Sequence, residues 1–360
     1  MSDKRIVLTG GGTAGHVSPN IALLPALKKE GYEIFYIGSK TGPEKGLAED
    51  AGLTYYGVST GKFRRYFDLK NLTDPFKVIS GYFEAKKILK KLSPDVIFSK
   101  GGFVSVPVVK AASSLKIPCV IHESDYTPGL ANKLCFSSAR IICCNFPETV
   151  KMLPAGKSIC TGTPVREMLK NGNADAGKKA CGFEDDKPVI MVTGGSQGAA
   201  GVNAAVRQAL PELLKKYNVV HLCGKGKLDE SLNETAGYKQ FEYVKEQMAD
   251  LFALADIVIS RAGANSIYEI LALKKPHILI PLPTGRGDQK LNAKSFESLG
   301  YSVVIMQEDL TPEVLSDAVD RLYKEREKYI DAMTSGDQSD PIGMIIDLLK
   351  KAAEGGKLNG

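Results

Sequence analysis

Two stretches roughly half a chain apart are built alike. "IVLTGGGT" (6–13) and "IMVTGGSQ" (190–197) are each an apolar run ending in Thr, followed by a glycine turn and a helical segment. A strand, a glycine turn and a helix in that order open a βαβ unit. The turn aims backbone N–H groups at the helix start toward an anion. Repeated at this spacing, the unit predicts two separate Rossmann-like domains rather than one long sheet.

Short β-rich runs alternate with helical stretches throughout. Strands are expected at 5–9, 33–37, 53–57, 95–98, 117–121, 140–144 and 158–160, then at 188–193, 218–223, 240–244, 256–260, 277–281 and 302–306. Most are apolar on both faces, as parallel strands covered by helices are. The fold class is therefore α/β with doubly wound parallel sheets. The seam is expected near "TGTPVRE" (161–167), dividing the chain into 1–163 and 164–338. Ile342, Ile345, Ile346 and Leu349 give 339–352 a helical apolar pattern, and this tail is expected to pack back on the first domain.

Bulk properties exclude several classes. A chain of 360 residues can bury two cores. Its net charge of +6 permits an anionic partner without demanding one. No basic arm or base-reading motif is present, so no nucleic acid partner is expected. Seven cysteines without a C-x-x-C pair read as small buried hydrophobes in a reducing compartment, not as disulfides or metal ligands. No signal peptide is read. No apolar run approaches the roughly 18 residues of a spanning helix, so membrane contact would be at the surface.

The glycine turns admit competing ligands. Gly10, Gly12 and Gly15 spell G-x-G-x-x-G, the dinucleotide fingerprint. For NAD the second strand should end in an acid that grips the ribose, but it reads "EIFYIGSK". NADP stays open, since Lys40 could meet a 2′-phosphate. His16 at the helix mouth argues for other chemistry, although it also reads as a plain residue at a helix start. G-x-x-x-x-G-K-[ST] is absent, which excludes a P-loop, and no metal-binding D-x-D is seen. In the second half, "SRAGANSIYEI" (260–270) opens a helix carrying Glu269, a carboxylate able to accept both hydroxyls of a ribose. Standing alone it would read as a solvated helical Glu. "PLPTGRGDQKLNA" (281–293) puts Asp288, Gln289 and Asn292 at the start of another helix, groups suited to sugar hydroxyls. A diphosphate turn, a ribose acceptor and hydroxyl readers fit a nucleotide sugar better than a nicotinamide dinucleotide.

On these residues the chain resembles the MurG family of bacterial peptidoglycan glycosyltransferases. Six blocks carry the likeness in order: "GGGTAGHVSPN", "HESDYTPGLANK", "TGTPVRE", "TGGSQGA", "SRAGANSIYEI" and "DQKLNA". The resemblance implies the GT-B fold, two Rossmann-like domains facing across a cleft. It implies transfer of N-acetylglucosamine from UDP-GlcNAc to the 4-hydroxyl of undecaprenyl-diphosphate-linked N-acetylmuramyl-pentapeptide. The acceptor would lie on the first domain and the donor on the second. No cofactor and no metal are implied. By position, Ser196 and Gln197 lie near the diphosphate, Val244 pairs with uracil through its backbone, and Met248 lies against the base. Glu269 takes the ribose, Ala264 and Gln289 touch the sugar, and Arg166 is a donor-site arginine. Thr13, Ala14 and Gly15 close over the donor. Two departures stand out. Many members have His-Glu-Gln-Asn where this chain has His122-Glu123-Ser124-Asp125, and some have Gln at Asp288. Each puts a carboxylate, which cannot donate, in place of an amide.

The implied reaction inverts the anomeric carbon, so the acceptor hydroxyl needs a base near neutrality. His16 is the first candidate and Asp125 the second. His122, His221 and His277 sit in strand-like runs and read as structural. Alternatives that use a UDP-sugar are a glycolipid glycosyltransferase, a UDP-GlcNAc epimerase and a non-catalytic binding module; an NADP oxidoreductase is the remaining one.

Finally, "DPFKVISGYFEAKKILKKL" (74–92) predicts a helix capped by Asp74 with Pro75 at its first position. Val78, Tyr82, Ala85, Leu89 and Leu92 form its core stripe. Phe76, Ile79 and Phe83 fall outside that stripe, and Lys86, Lys87 and Lys90 continue the outer face. Such a patch suits an anionic membrane surface, which would make the protein peripheral on the cytoplasmic face of the cell membrane. In the competing reading, the preceding "FRRYFDLKNL" covers the phenylalanines.

Overall fold

The computed structural model describes residues 4–61, 70–195, 198–336, 340–356 and 358, with backbone only for Ala14 and residues 70–75. Two compact units emerge: Met1–Arg166 with Ser339–Gly360, and Glu167–Gln338. The boundary follows Arg166, so that residue closes the first unit.

The first unit is a parallel sheet of β1 (Lys4–Thr9), β2 (Tyr32–Ser39), β3 (Thr54–Val58), β4 (Val96–Ser99), β5 (Cys119–Glu123), β6 (Ile141–Cys144) and β7 (Ser158–Cys160), in the order β3-β2-β1-β4-β5-β6-β7. Side chains alternate across it. Ile6, Leu8, Val96 and Phe98 enter one buried layer, while Val7 and Ile97 enter the other. The helix Pro341–Ala353 packs on the first of these layers through Ile345, Ile346, Leu348, Leu349 and Ala352. Lys350 adds an ion pair to Glu30 at 2.7 Å.

The second unit repeats the plan with β8 (Val189–Thr193), β9 (Asn218–Leu222), β10 (Tyr238–Phe241), β11 (Ile257–Ser260), β12 (His277–Leu279) and β13 (Ser302–Val304). Their order is β10-β9-β8-β11-β12-β13, again parallel. Every expected strand exists. The largest shift is at β10, which ends at Phe241 and leaves Val244 in the loop beyond. All seven cysteines are free thiols and six are buried, Cys119, Cys143 and Cys144 among them in apolar strands.

The same reversal of order organises both sheets. The chain runs outward from β1 to β3, then returns to the other side of β1 with β4; β8, β9, β10 and β11 do likewise. At such a switch point the loops leaving neighbouring strands diverge and open a crevice at the carboxyl ends. Register places Thr9 opposite Ser99, and Thr193 opposite Ser260. The glycine turns therefore emerge beside the loops that begin at Lys100 and Arg261.

The helix expected from residue 74 runs Lys70–Leu92. Asp74 is therefore not its cap, and Pro75 lies in the second turn, where it lacks the N–H to bond the carbonyl four residues back. The remaining length and tertiary packing outweigh that one bond. The core stripe is as expected: Ala85, Leu89 and Leu92 are buried, and Val78 and Tyr82 partly so. Phe76, Ile79 and Phe83 are 73%, 55% and 63% exposed. Most of "FRRYFDLKNL" lies outside the described residues. No helix among the described residues is long and apolar enough to cross a membrane.

Leu349 is fully buried between its helix and the first sheet. Leu349→Ala should destabilise the first unit's unfolding transition by about 2–5 kcal/mol in urea titrations, through lost burial and a residual cavity. A loss below about 1 kcal/mol would mean the carboxyl-terminal helix contributes little to the first unit.

Candidate functional site

In the first glycine turn the anion position is already taken. Glu44 is fully buried, and its carboxylate accepts from the Gly12 N–H at 3.1 Å, from the Ser39 N–H at 2.9 Å and from the Ser39 hydroxyl. A Cβ on Gly11 would sit 2.5 Å from that carboxyl carbon, so the close approach requires glycine there. The Gly12 N–H is thereby committed to an internal carboxylate. Lys40, the residue that could have met a 2′-phosphate, is paired with Glu84 at 2.8 Å and donates to Ser59 at 3.1 Å. The fingerprint glycines thus shape a loop for something other than a dinucleotide.

What that loop presents is His16. Thr13, Ala14 and Gly15 lead into a single tight turn, closed by the His16 N–H on the Thr13 carbonyl at 3.2 Å. The ring Nδ1 lies 2.9 Å from the Lys100 carbonyl. A carbonyl only accepts, so Nδ1 carries the proton and Nε2 keeps its lone pair. Burial lowers the pKa of His16, and the neighbouring Lys100 charge acts in the same direction. Its bond to the Lys100 carbonyl and the charges of Asp125 and Glu44 oppose this. The imidazole is therefore neutral and basic near pH 7.

Asp125 lies in the loop after β5. Glu123 shapes this loop by accepting from the N–H groups of Ser124 (2.9 Å), Asp125 (3.1 Å) and Gly129 (2.9 Å) and from the Asn132 amide (2.9 Å). Burial raises the pKa of Glu123, while those donors pull it back. His122 is fully buried and engaged at both ring nitrogens. His221 and His277 are likewise buried within β9 and β12.

In the second unit the glycine turn after β8 leads into the helix Ala200–Leu213. Ser196 and Gln197, read as diphosphate contacts, lie outside the described residues. Ala264 is the buried first residue of the helix Ala264–Ala272, and Glu269 lies partly exposed farther along it. Val244 is buried, and Met248 opens the helix Met248–Leu254, partly exposed. The helix Asp288–Ser298 begins with two held side chains. Asp288 takes Arg286 at 2.6 Å, and the Gln289 carbonyl oxygen accepts from the Leu282 N–H at 3.0 Å, which turns its amide nitrogen away as a donor.

Asn292, expected among the hydroxyl readers, is fully buried and donates to the Ala262 carbonyl at 3.1 Å. One helical turn after Asp288, it falls on the packed face, and it fixes the loop after β11 instead of meeting solvent. The sequence reading also passed over Glu44, Glu123 and Lys100. Each is a charged residue beside glycines or at a strand end, a place where a charge has to build a loop or be paired. Arg261 is a further example: it is buried and donates to the Ile280 and Pro281 carbonyls at 3.0 and 3.2 Å.

Comparison with known proteins bears on both units. Residues 6–142 match the glycosyltransferase family 28 N-terminal domain, and residues 189–345 match the glycosyltransferase family 28 C-terminal domain. A UDP-N-acetylglucosamine--N-acetylmuramyl-(pentapeptide) pyrophosphoryl-undecaprenol N-acetylglucosamine transferase from Lachnospira eligens is 62% identical, over 96% of this chain and 99% of its own. The protein of the same name from Lachnoclostridium phytofermentans is 58% identical, over 97% and 99%. Among solved structures, MurG of Acinetobacter baumannii aligns with a TM-score of 0.76 at 27% identity, over 97% of this chain and 99% of that one. The fold is GT-B. With matches to both halves and identity above half over nearly its whole length, the chain belongs to glycosyltransferase family 28 and, within it, to the MurG family of N-acetylglucosamine transferases.

Proposed function

We propose that this chain moves N-acetylglucosamine from UDP-GlcNAc to the 4-hydroxyl of undecaprenyl-diphosphate-linked N-acetylmuramyl-pentapeptide, with inversion at the anomeric carbon. The observation that carries this reading is the near full-length identity to transferases of that name, spanning both units at once. In the proposed step the acceptor oxygen forms its bond to the anomeric carbon as the bond to the UDP oxygen breaks. The acceptor proton passes to Nε2 of His16, and the electron pair leaves with UDP. The turn at 194–198, with Ser196 and Gln197, meets the developing charge with fixed dipoles. Glu269 accepts from the ribose, Val244 and Met248 hold the uracil, and Ala264, Asp288 and Gln289 meet the sugar. Arg166 and the loop Thr13-Ala14-Gly15 complete the donor's surroundings. The anchored Nδ1 of His16 favours it over Asp125 as base, because its tautomer is already the productive one.

The direct assay is UDP release from UDP-GlcNAc, which should require a lipid-linked muramyl acceptor. In that assay His16→Ala should lower kcat by roughly 10²–10⁴-fold with donor affinity nearly unchanged, since a base acts only in the transition state. The wild-type acid limb should fall below the ordinary imidazole value of about 6.5, because only the neutral ring accepts the proton and its folded pKa is lowered. A drop of tenfold or less would transfer the base role to Asp125.

The membrane reading rests on the exposed Phe76, Ile79 and Phe83 beside Lys86, Lys87 and Lys90. Aromatic groups at that exposure can enter an interface while each lysine gains roughly 1 kcal/mol from anionic headgroups. It would hold the protein peripherally on the cytoplasmic face, where such a lipid presents its sugar. Changing Phe76 and Phe83 together to Ser should abolish sedimentation with anionic vesicles. Transfer to a long-chain acceptor should slow, and transfer to a short soluble one should be spared. Equal losses on both acceptors would show that these residues serve the fold instead.

A further inference from the structure

Lys100 follows β4 directly, is 1% exposed, and takes no part in the steps above. Its backbone is part of the switch point: the Lys100 N–H donates to the Thr9 carbonyl at 2.9 Å, and its own carbonyl accepts from His16 Nδ1. Its side chain runs inward. Nζ lies 2.9 Å from His122 Nδ1 and donates to the Thr163 hydroxyl at 3.2 Å. His122 Nε2 is 2.9 Å from the Gly162 carbonyl, so Nε2 carries that ring's proton and Nδ1 is the acceptor for the amine. One residue therefore joins the two histidines, one through its main chain and the other through its side chain. Gly102 keeps this strand end close to the first glycine turn: a Cβ there would lie 2.3 Å from the Gly11 carbonyl oxygen.

Neither of those amine partners is a carboxylate, an unusual arrangement for so buried an ammonium. The charges that act on it are those of Glu123 and Asp125, and they favour its protonated form. Burial outweighs them and brings its pKa down to about 7. The groups that act on His16 are Lys100, Asp125 and Glu44. The two carboxylates favour the imidazolium, and Lys100 supplies the opposing charge.

We propose that Lys100 is a positioning residue for His16: its carbonyl fixes the Nδ1–H tautomer, and its ammonium, seated between His122 and Thr163, sets a positive charge against the charges of Asp125 and Glu44. The catalytic consequence rests on His16 as the base; the electrostatic one does not. In that arrangement His122 is a support for the amine rather than a proton carrier, and burial together with Lys100 keeps it unprotonated.

The chain has four histidines, so their ring signals can be followed singly by NMR. Wild-type His16 should show the Nδ1–H tautomer and titrate below the ordinary imidazole range. Lys100→Met matches the side chain's bulk without its charge, and Lys100→Gln keeps a donor toward His122 without charge. In both, the His16 pKa should rise, since a charge that lowers it is removed, and the acid limb of kcat should move up with it, so that activity is lost at low pH and recovered at high pH. A merely structural role would lower the melting temperature without moving the His16 titration. An unmoved His16 titration in a folded variant overturns the proposal. A moved titration with an unmoved acid limb upholds Lys100 and removes His16 as the base. Should neither variant fold, the wild-type spectrum decides: an Nε2–H tautomer at His16 contradicts the arrangement, and Nδ1–H with a depressed titration supports it.

Discussion

Strands β1 and β4 are neighbours in the sheet although β2 and β3 separate them in the chain, and that adjacency fixes where chemistry can be placed. The segments that follow them pack on opposite layers, Leu23, Leu24 and Leu27 with one and Val106, Val108 and Val109 with the other. The loops must therefore part above the strand ends. Parallel register then sets Lys100 beside the first glycine turn, which is why a backbone carbonyl can reach His16. The second sheet obeys the same constraint. There the divergent loops bring forward the turn after β8 and the helix that carries Glu269.

Similar topology does not give the two turns similar electrostatics. The first has an internal carboxylate, Glu44, on its Gly12 N–H, and the Lys100 carbonyl anchors an imidazole at its rim. That combination sets a carboxylate inside the loop and an imidazole lone pair at its rim. In the second unit the charged residues nearest the turn and loop are committed otherwise: Arg261 to strand-end carbonyls, Lys227 to the Gly198 carbonyl at 3.3 Å. In the proposed reading, ligand recognition there falls to Glu269 and the paired start of the helix Asp288–Ser298. The repeated fold is thus a shared frame whose chemistry is set by which side chains are buried against each turn.

Strand positions were legible because a parallel strand buried on both faces has to be a continuous apolar run, and runs such as "IVLT" and "DIVIS" leave little alternative. The exposed aromatic face of the helix Lys70–Leu92 was legible for a related reason: helical period alone separates Phe76, Ile79 and Phe83 from Ala85 and Leu89. The helix start was not legible, since capping chemistry at Asp74 and Pro75 is local and does not set where the helix begins. Asn292 was misread because hydrogen-bonding capacity is visible in a sequence while the direction of a side chain is not. Lys100 and Glu44 were missed for the converse reason. A charged residue reads as solvent-facing unless the topology that buries it is known.

Under the proposed mechanism, nucleotide recognition falls to the second unit and proton transfer to the first. Calorimetric titration of UDP into wild type, Glu269→Ala and His16→Ala tests it most directly. Removing hydrogen bonds from the ribose to a charged acceptor should weaken UDP binding by about 1.5–3 kcal/mol in Glu269→Ala, with His16→Ala binding like wild type. Unchanged UDP affinity in Glu269→Ala, or a comparable loss in His16→Ala, would contradict it.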